Sequence, residues 1–281
     1  MKKILNKKLN KFSTDNRADV VDTMKNSSHL IRYYEIRDKR ENFNKLYKSE
    51  KIVFKKFLKK GSSVLDVGCL YGSLKKALKD FNINYKGIDT DLKAINFGKK
   101  YQKGISIYHK DFMKPTKQNH KYDFVIALNV FDHFTKWKEV IKNLKKYSKK
   151  YVFFTTLLKT NGSTLIDKDI SYVPYDGGGA KTLPWSVFNI FEIIAYASSY
   201  EINAKNIYIY AYNKYHKKNI FGPNNLKTAS LSTLPIDPRE ILVGSVVIEL
   251  NNKFTKKNLF IKPTYQIYIN NSLYLKSWWW N

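Results

Sequence analysis

A chain of 281 residues, 43% of them hydrophobic, is long enough to bury one sizeable core with a small accessory lobe. No apolar run reaches the ~18 residues needed to span a bilayer. The basic N-terminus, MKKILNKKLNKF, lacks the continuous apolar stretch of a secretory signal, and a single cysteine, Cys69, excludes an intrachain disulfide. A reducing, cytoplasmic setting is the expectation. The net charge of +28 raises a nucleic-acid partner. Against it, only Arg17, Arg32, Arg37, Arg40 and Arg239 among the 51 basic residues are arginines, the preferred fork for phosphate. The lysines are spread along the whole chain.

In chain order, residues 13–60 have helical spacing, with Phe43, Leu46, Tyr47, Ile52, Phe54, Phe57 and Leu58 as the apolar set, and Gly61 ends the run. Strand and helix signals then alternate. SVLDVG predicts a strand and SLKKALKDF a helix; NYKGID predicts a second strand and LKAINFGKKY a helix. ISIYHKD is a third strand, YDFVIALNVF a fourth that is apolar enough to be buried on both faces, KWKEVIKNLKKYS an amphipathic helix, and YVFFTTLL a fifth strand. This alternation predicts an α/β fold with a doubly wound, mostly parallel, Rossmann-like sheet. From Lys159 the pattern loosens around Gly177–Gly179. A helix over SVFNIFEIIAYASSY follows, then strands NIYIYAYN and ILVGSVVIEL, and a C-terminal β-hairpin turning at Asn270-Asn271. The expected organisation is an N-terminal helical cap over 1–49, a main domain over 50–250 with an insertion at about 159–185, and a hairpin extension over 251–281.

The loop in VLDVGCLYGSL is either a cofactor cradle or a tight turn between a buried strand and a helix. Ligands on such sheets bind at the carboxyl ends of the strands. A dinucleotide site needs G-x-G-x-x-G, and this loop instead has Gly68 and Gly72 flanking Cys69, Leu70 and Tyr71. Asp66, just before it, would repel a pyrophosphate and attract a cationic amino acid. Two more acids, Asp89 and Asp111, end the next two strands. Singly, each fits a strand end or a turn cap, and Phe112 fits a core; their order places three acids along one edge of the sheet.

Here the stretch resembles the class I S-adenosylmethionine-dependent methyltransferases, whose first motif reads approximately V-L-D-x-G-C-G-x-G. The departure is Leu70, where the family has a middle glycine. The resemblance runs on through YKGIDTD, YHKDF and YDFVIALNVFDHF and covers roughly residues 50–160. It implies S-adenosyl-L-methionine as cofactor, held by Asp66, Gly68, Cys69, Gly72, Asp89, Asp111, Phe112 and Asn129. Asp89 would take both ribose hydroxyls, one carboxylate offering two acceptors to a vicinal diol. Asp111 would accept from the adenine amine, Phe112 would pack on the ring, and Asn129 would lie beside the cofactor.

The reaction implied is an in-line displacement, for which positioning does most of the work. A hydroxyl acceptor also needs a base, and Asp132 and His133 follow the fourth strand. Either could instead be structural. Asn129-Val130-Phe131-Asp132 lacks the paired prolines of the relatives that methylate base amines or glutamine. The histidines, His29, His109, His120, His133 and His216, show no ligand spacing, so no metal is expected. Tyr33 and Arg37 in the N-terminal cap, with Tyr172, Tyr175 and Trp185 around the triple glycine, are candidate acceptor contacts. A small-molecule O-methyltransferase acting on a sugar or a surface-polysaccharide or secondary-metabolite precursor is the favoured expectation. An RNA or protein methyltransferase using the basic surface is the rival, and a cofactor-binding protein without catalysis a third reading.

Overall fold

The computed structural model describes residues 41–114, 120–166, 172–175, 179–182, 186–213, 240–251 and 263–276. Tyr33, Arg37 and Trp185 lie outside the described residues, as does the 1–40 part of the expected helical cap, and of Tyr172 and Tyr175 only the backbone is described.

The first described elements are a 3-10 turn at Phe43–Lys45 and helix α1 (Lys48–Phe57). The continuous helix expected over this stretch is thus interrupted. Leu46 and Tyr47 take extended backbone with ψ of 155° and 150°, and the Glu50 carboxylate accepts the Tyr47 N–H at 2.9 Å, starting α1 afresh. Strand β1 (Ser63–Val67) follows, with four of its five residues buried. Helix α2 (Ser73–Ala77), β2 (Asn84–Asp89), α3 (Leu92–Tyr101) and β3 (Ile107–His109) complete the first half. The second half brings β4 (Tyr122–Ala127), α4 (Trp137–Tyr147), β5 (Ser148–Lys159) and a two-stranded hairpin of β6 (Tyr172–Tyr175) and β7 (Gly179–Thr182). After it come β8 (Val187–Asn189), α5 (Ile190–Ser198), β9 (Ala204–Asn213) and β10 (Leu242–Leu250). The chain ends, among described residues, with β11 (Thr264–Ile269) and β12 (Ser272–Lys276).

The sheet runs β3-β2-β1-β4-β5-β10-β9-β11-β12, and β8 pairs with β5 beyond the end of β4. Pairing is parallel from β3 across to β5. Strand β10 runs antiparallel to both β5 and β9. The sheet is therefore doubly wound and mostly parallel, as the alternation predicts. Each face carries its own core. Phe54 of α1, Leu74 of α2 and Ile95 of α3 pack with Val64, Phe124 and Phe153 on one side. Ile141 and Leu144 of α4 and Ile193 of α5 pack with Leu65, Val125 and Val152 on the other. Helix α4 shows why the pattern was readable: Trp137, Val140, Ile141, Leu144 and Tyr147 are buried at helical spacing, and lysines fill the opposite side.

One stretch departs from expectation. Val187–Asn189 is a strand rather than the first turn of a helix: Val187 and Phe188 are fully buried beside Leu157 and Leu158, and Asn189 then caps α5. The C-terminal hairpin forms, with Asn270 and Asn271 both left-handed at φ 51° and 71°. Its first strand pairs in parallel with β9, so it extends the main sheet and is no separate appendage.

Candidate functional site

The carboxyl ends of β1, β2, β3 and β4 lie side by side, and the turns leaving them build the site. The loop after β1 is drawn onto β2: the N–H groups of Gly68 and Cys69 both donate to the Ile88 carbonyl, at 2.9 and 3.2 Å. Gly68 has φ +72°, and a Cβ there would lie 2.4 Å from a Val130 methyl. No side chain fits, which lets the loop close against the turn after β4. Leu70, the departure from the family motif, takes the left-handed conformation at φ 51° that a glycine would supply. Its side chain is buried, and its N–H donates to Asp89 Oδ2 at 2.7 Å. Gly72 starts α2 at φ 80°. Beneath the loop, Gly87 makes room for Cys69, since a Cβ at 87 would lie 2.6 Å from its sulfur. The Cys69 thiol is thus a small buried filler. Burial, and then the negative charge of Asp66 and Asp89, push its pKa well up, so the neutral thiol persists.

Asp89 ends β2 with its carboxylate bound twice by backbone: Leu70 N–H on Oδ2 and Asp91 N–H on Oδ1, the latter at 2.9 Å. A carboxylate has about four lone-pair sites. Each oxygen keeps one, spaced to suit a vicinal diol, so the group fits the ribose of the implied cofactor. Asp91 caps α3 by accepting the N–H groups of Lys93 and Ala94. Asp66 is placed differently from its neighbour. It is buried in the interior beside α1–α3, and Tyr85 O–H donates to its Oδ2 at 2.7 Å. Burial and the Asp66 charge hold the Tyr85 phenol protonated far above its ordinary range. Within β1, Asp66 thus sits on the face that carries Tyr85 of β2.

Past β3, Asp111 accepts the Met113 N–H on Oδ1 at 2.9 Å and is partly exposed. Phe112 is 7% exposed and meets Phe134 edge-on at 5.6 Å, so most of its ring serves the core under that corner. After β4, Asn129 is half-buried and left-handed at φ 51°, its N–H donating to Thr155 Oγ at 2.8 Å. Tyr85 and Gly87 lie within the YKGIDTD stretch without having been singled out, and Thr155 lies outside every motif; a threonine amid the apolar run of β5 was its available signal.

The 3-10 turn Phe131–His133 follows β4, and Asp132 accepts the Ser186 N–H on its carbonyl at 2.9 Å. His133 is half-buried; Asp132 is buried, with Oδ1 lacking a hydrogen-bond partner among the described residues. Thr156 Oγ and Ser186 Oγ are likewise buried and unpartnered there. Each lies one residue before the Leu157–Val187 pair of the β5–β8 register. Such atoms are satisfied in proteins by water or ligand. Among the described residues, no group of three or more His, Cys, Asp or Glu is placed to hold a metal ion, and no helix is long and apolar enough to cross a membrane.

Comparison with known proteins follows the same lines. Among solved structures, the chain resembles a SAM-dependent methyltransferase from Methanosarcina mazei at TM-score 0.50 and 14% identity, over 73% of this chain and 98% of that one. It also resembles magnesium protoporphyrin IX methyltransferase (ChlM) from Synechocystis with bound SAM, at 0.49 and 13%, over 85% and 99%. PKMT2 from Rickettsia typhi, solved with AdoHcy, matches at 0.31 and 18% over 34% of this chain; the chain spans 21% of that protein's length. No curated protein matches. A family model described as a methyltransferase domain matches residues 33–192, more than half of the chain. The chain belongs to the class I S-adenosylmethionine-dependent methyltransferases.

Proposed function

We propose that the chain O-methylates a small-molecule acceptor, of the size of a sugar or a secondary-metabolite precursor, with His133 as the proton acceptor. The observation that carries this reading is topological. The insertion between β5 and β8 leaves the sheet at Lys159 and re-enters at Val187, both at the carboxyl edge and next to the turn bearing His133. It contains the β6–β7 hairpin. A segment inserted at that edge is better suited to surround a small acceptor than to track a polymer. The lysines of the described helices agree: those of α1 and α3 lie on one face of the sheet and those of α4 on the other.

When bound, S-adenosylmethionine supplies a methyl group on a sulfonium with a neutral leaving group. Asp89 would hold the ribose diol, the Gly68–Gly72 backbone would seat the amino-acid end, and Asp111 would accept from the adenine amine. Asn129, pinned by Thr155, would border the methyl-bearing centre. His133 would take the acceptor's hydroxyl proton as the oxygen attacks, with the unpartnered Asp132 oxygen available to orient the acceptor or a water. A single thiol held buried and neutral agrees with a reducing, cytoplasmic setting.

The test is calorimetric titration with S-adenosylhomocysteine. Wild type should bind in the micromolar range, and Asp89→Ala should weaken binding about 10- to 100-fold, the worth of hydrogen bonds to a charged group. A folded wild type that binds none would reduce the reading to a fold without its chemistry.

A further inference from the structure

We propose that Thr155 is a positioning residue of the cofactor site: it holds Asn129 in a left-handed backbone and so sets how the turn after β4 meets the glycine loop. The proposal rests on the cofactor contacts inferred above and deepens that reading. Asn129 lies two residues beyond Ala127, where β4 ends and makes its last pairing, with Phe154 of β5. The chain turns there, and Asn129 has φ 51°. A non-glycine residue in that region is strained, and it persists only where its surroundings over-determine it.

Thr155 supplies the constraint. Its Oγ accepts the Asn129 N–H at 2.8 Å, and its O–H donates to Asn129 Oδ1 at 3.3 Å. The first bond fixes the backbone and the second the side-chain torsion, so one hydroxyl grips the whole residue. Strand β5 by itself does not require that hydroxyl. Thr155 is fully buried, and valine has nearly its shape and is as much at home in a strand. Ser245 of β10, paired with Thr155, is also fully buried, and its Oγ has no hydrogen-bond partner among the described residues. A hydroxyl in this row is therefore not enough; the grip belongs to Thr155. Its effect reaches the glycine loop. Val130 follows Asn129, and a Cβ at Gly68 would lie 2.4 Å from its methyl. A turn released at Asn129 would let Val130 move against Gly68, where the seat of the cofactor's amino-acid end begins. Thr155 is itself buried, so it acts on the ligand through this turn.

The experiment titrates the full chain calorimetrically with S-adenosylhomocysteine and with 5′-methylthioadenosine, which shares the adenosine and lacks the amino-acid end. Variants are Thr155→Val, Thr155→Ser and, as a control in the same row, Ser245→Ala; circular dichroism and urea unfolding report folding. Thr155→Val should bind S-adenosylhomocysteine about tenfold more weakly and methylthioadenosine within about twofold of wild type. Thr155→Ser keeps the hydroxyl and should restore S-adenosylhomocysteine affinity to within about twofold, although the lost methyl lowers its stability. Ser245→Ala should bind both ligands as wild type does. If Thr155→Val does not fold, Thr155→Ala carries the same comparison. Unchanged S-adenosylhomocysteine affinity in the folded variant, equal weakening of both ligands, no rescue by serine, or the same loss in Ser245→Ala would each overturn the proposal and leave the cofactor reading standing. A folded wild type that binds neither ligand would overturn that reading, and the role of Thr155 with it.

Discussion

Leu70 concentrates the chemistry of the loop in one residue. Its backbone must be left-handed so that its N–H can reach Asp89 Oδ2 at 2.7 Å, and at φ 51° a non-glycine residue is strained by about 1–2 kcal/mol. Its side chain is 5% exposed, and burial of a leucine returns about 1.5–3 kcal/mol. The two terms nearly cancel. Leu70→Gly should therefore change unfolding free energy by no more than about 1–2 kcal/mol while keeping cofactor affinity, because the contact to Asp89 is made by the main chain. Leu70→Val keeps the strain, adds a β-branch and loses a methylene, so it should be the less stable of the two by about 1 kcal/mol or more. Urea unfolding of the three proteins checks the order; a Gly variant less stable than the Val variant would show that packing, not backbone conformation, governs the loop. The middle glycine of the family motif and Leu70 here thus satisfy one conformational demand by different means.

Helix α5 and the short β8 before it show what pattern reading catches and what it misses at the level of elements. NYKGID and LKAINFGKKY emerge as β2 and α3 at the bounds expected, because each has a clean period and a capping or turn residue at its end. Val187–Asn189 hides in front of a helix: three residues are too few to show a period, and only the pairing with Leu157–Lys159 makes them a strand. The site follows the same division. The acids at strand ends and the glycine loop were legible in sequence. Tyr85 beneath Asp66 and Thr155 beneath Asn129 depend on which strands become neighbours, over separations of 19 and 26 residues. Asn189 joins the two elements: its side chain accepts from Phe191 and Glu192 N–H and donates to the Gly162 carbonyl at 2.5 Å. Asn189→Ala removes the cap and the tie to the loop together. It should lower unfolding free energy by about 1–3 kcal/mol, one cap plus one buried hydrogen bond. Asn189→Asp, which keeps the cap and loses the donor, should fall between; equal stability of the Asp and Ala variants would remove the cap from the account.

On the scale of the whole molecule, the charge of +28 must be reconciled with the proposed small-molecule acceptor. The ion pairs among the described residues, Lys76–Glu41, Lys142–Glu201, Lys149–Asp123 and Lys205–Glu249, are at the surface and scattered. Pairs of this kind contribute about 0–1 kcal/mol each and leave most of the excess lysine unneutralised. A nucleic-acid enzyme concentrates such charge along one track; here the lysines of α1 and α3 oppose those of α4 across the sheet. Attraction to RNA should then be real, unselective and carried by counterion release. Binding to bulk transfer RNA, followed by fluorescence anisotropy, should weaken about 1,000-fold or more between 50 and 200 mM salt if six or more phosphates are neutralised, leaving no tight complex at the upper value. Single-lysine changes on either face should each shift the curve slightly and alike. Tight binding that survives 200 mM salt and collapses on changing lysines of one face alone would mean that the charge forms a footprint, and the acceptor would then be sought among RNAs instead of small molecules.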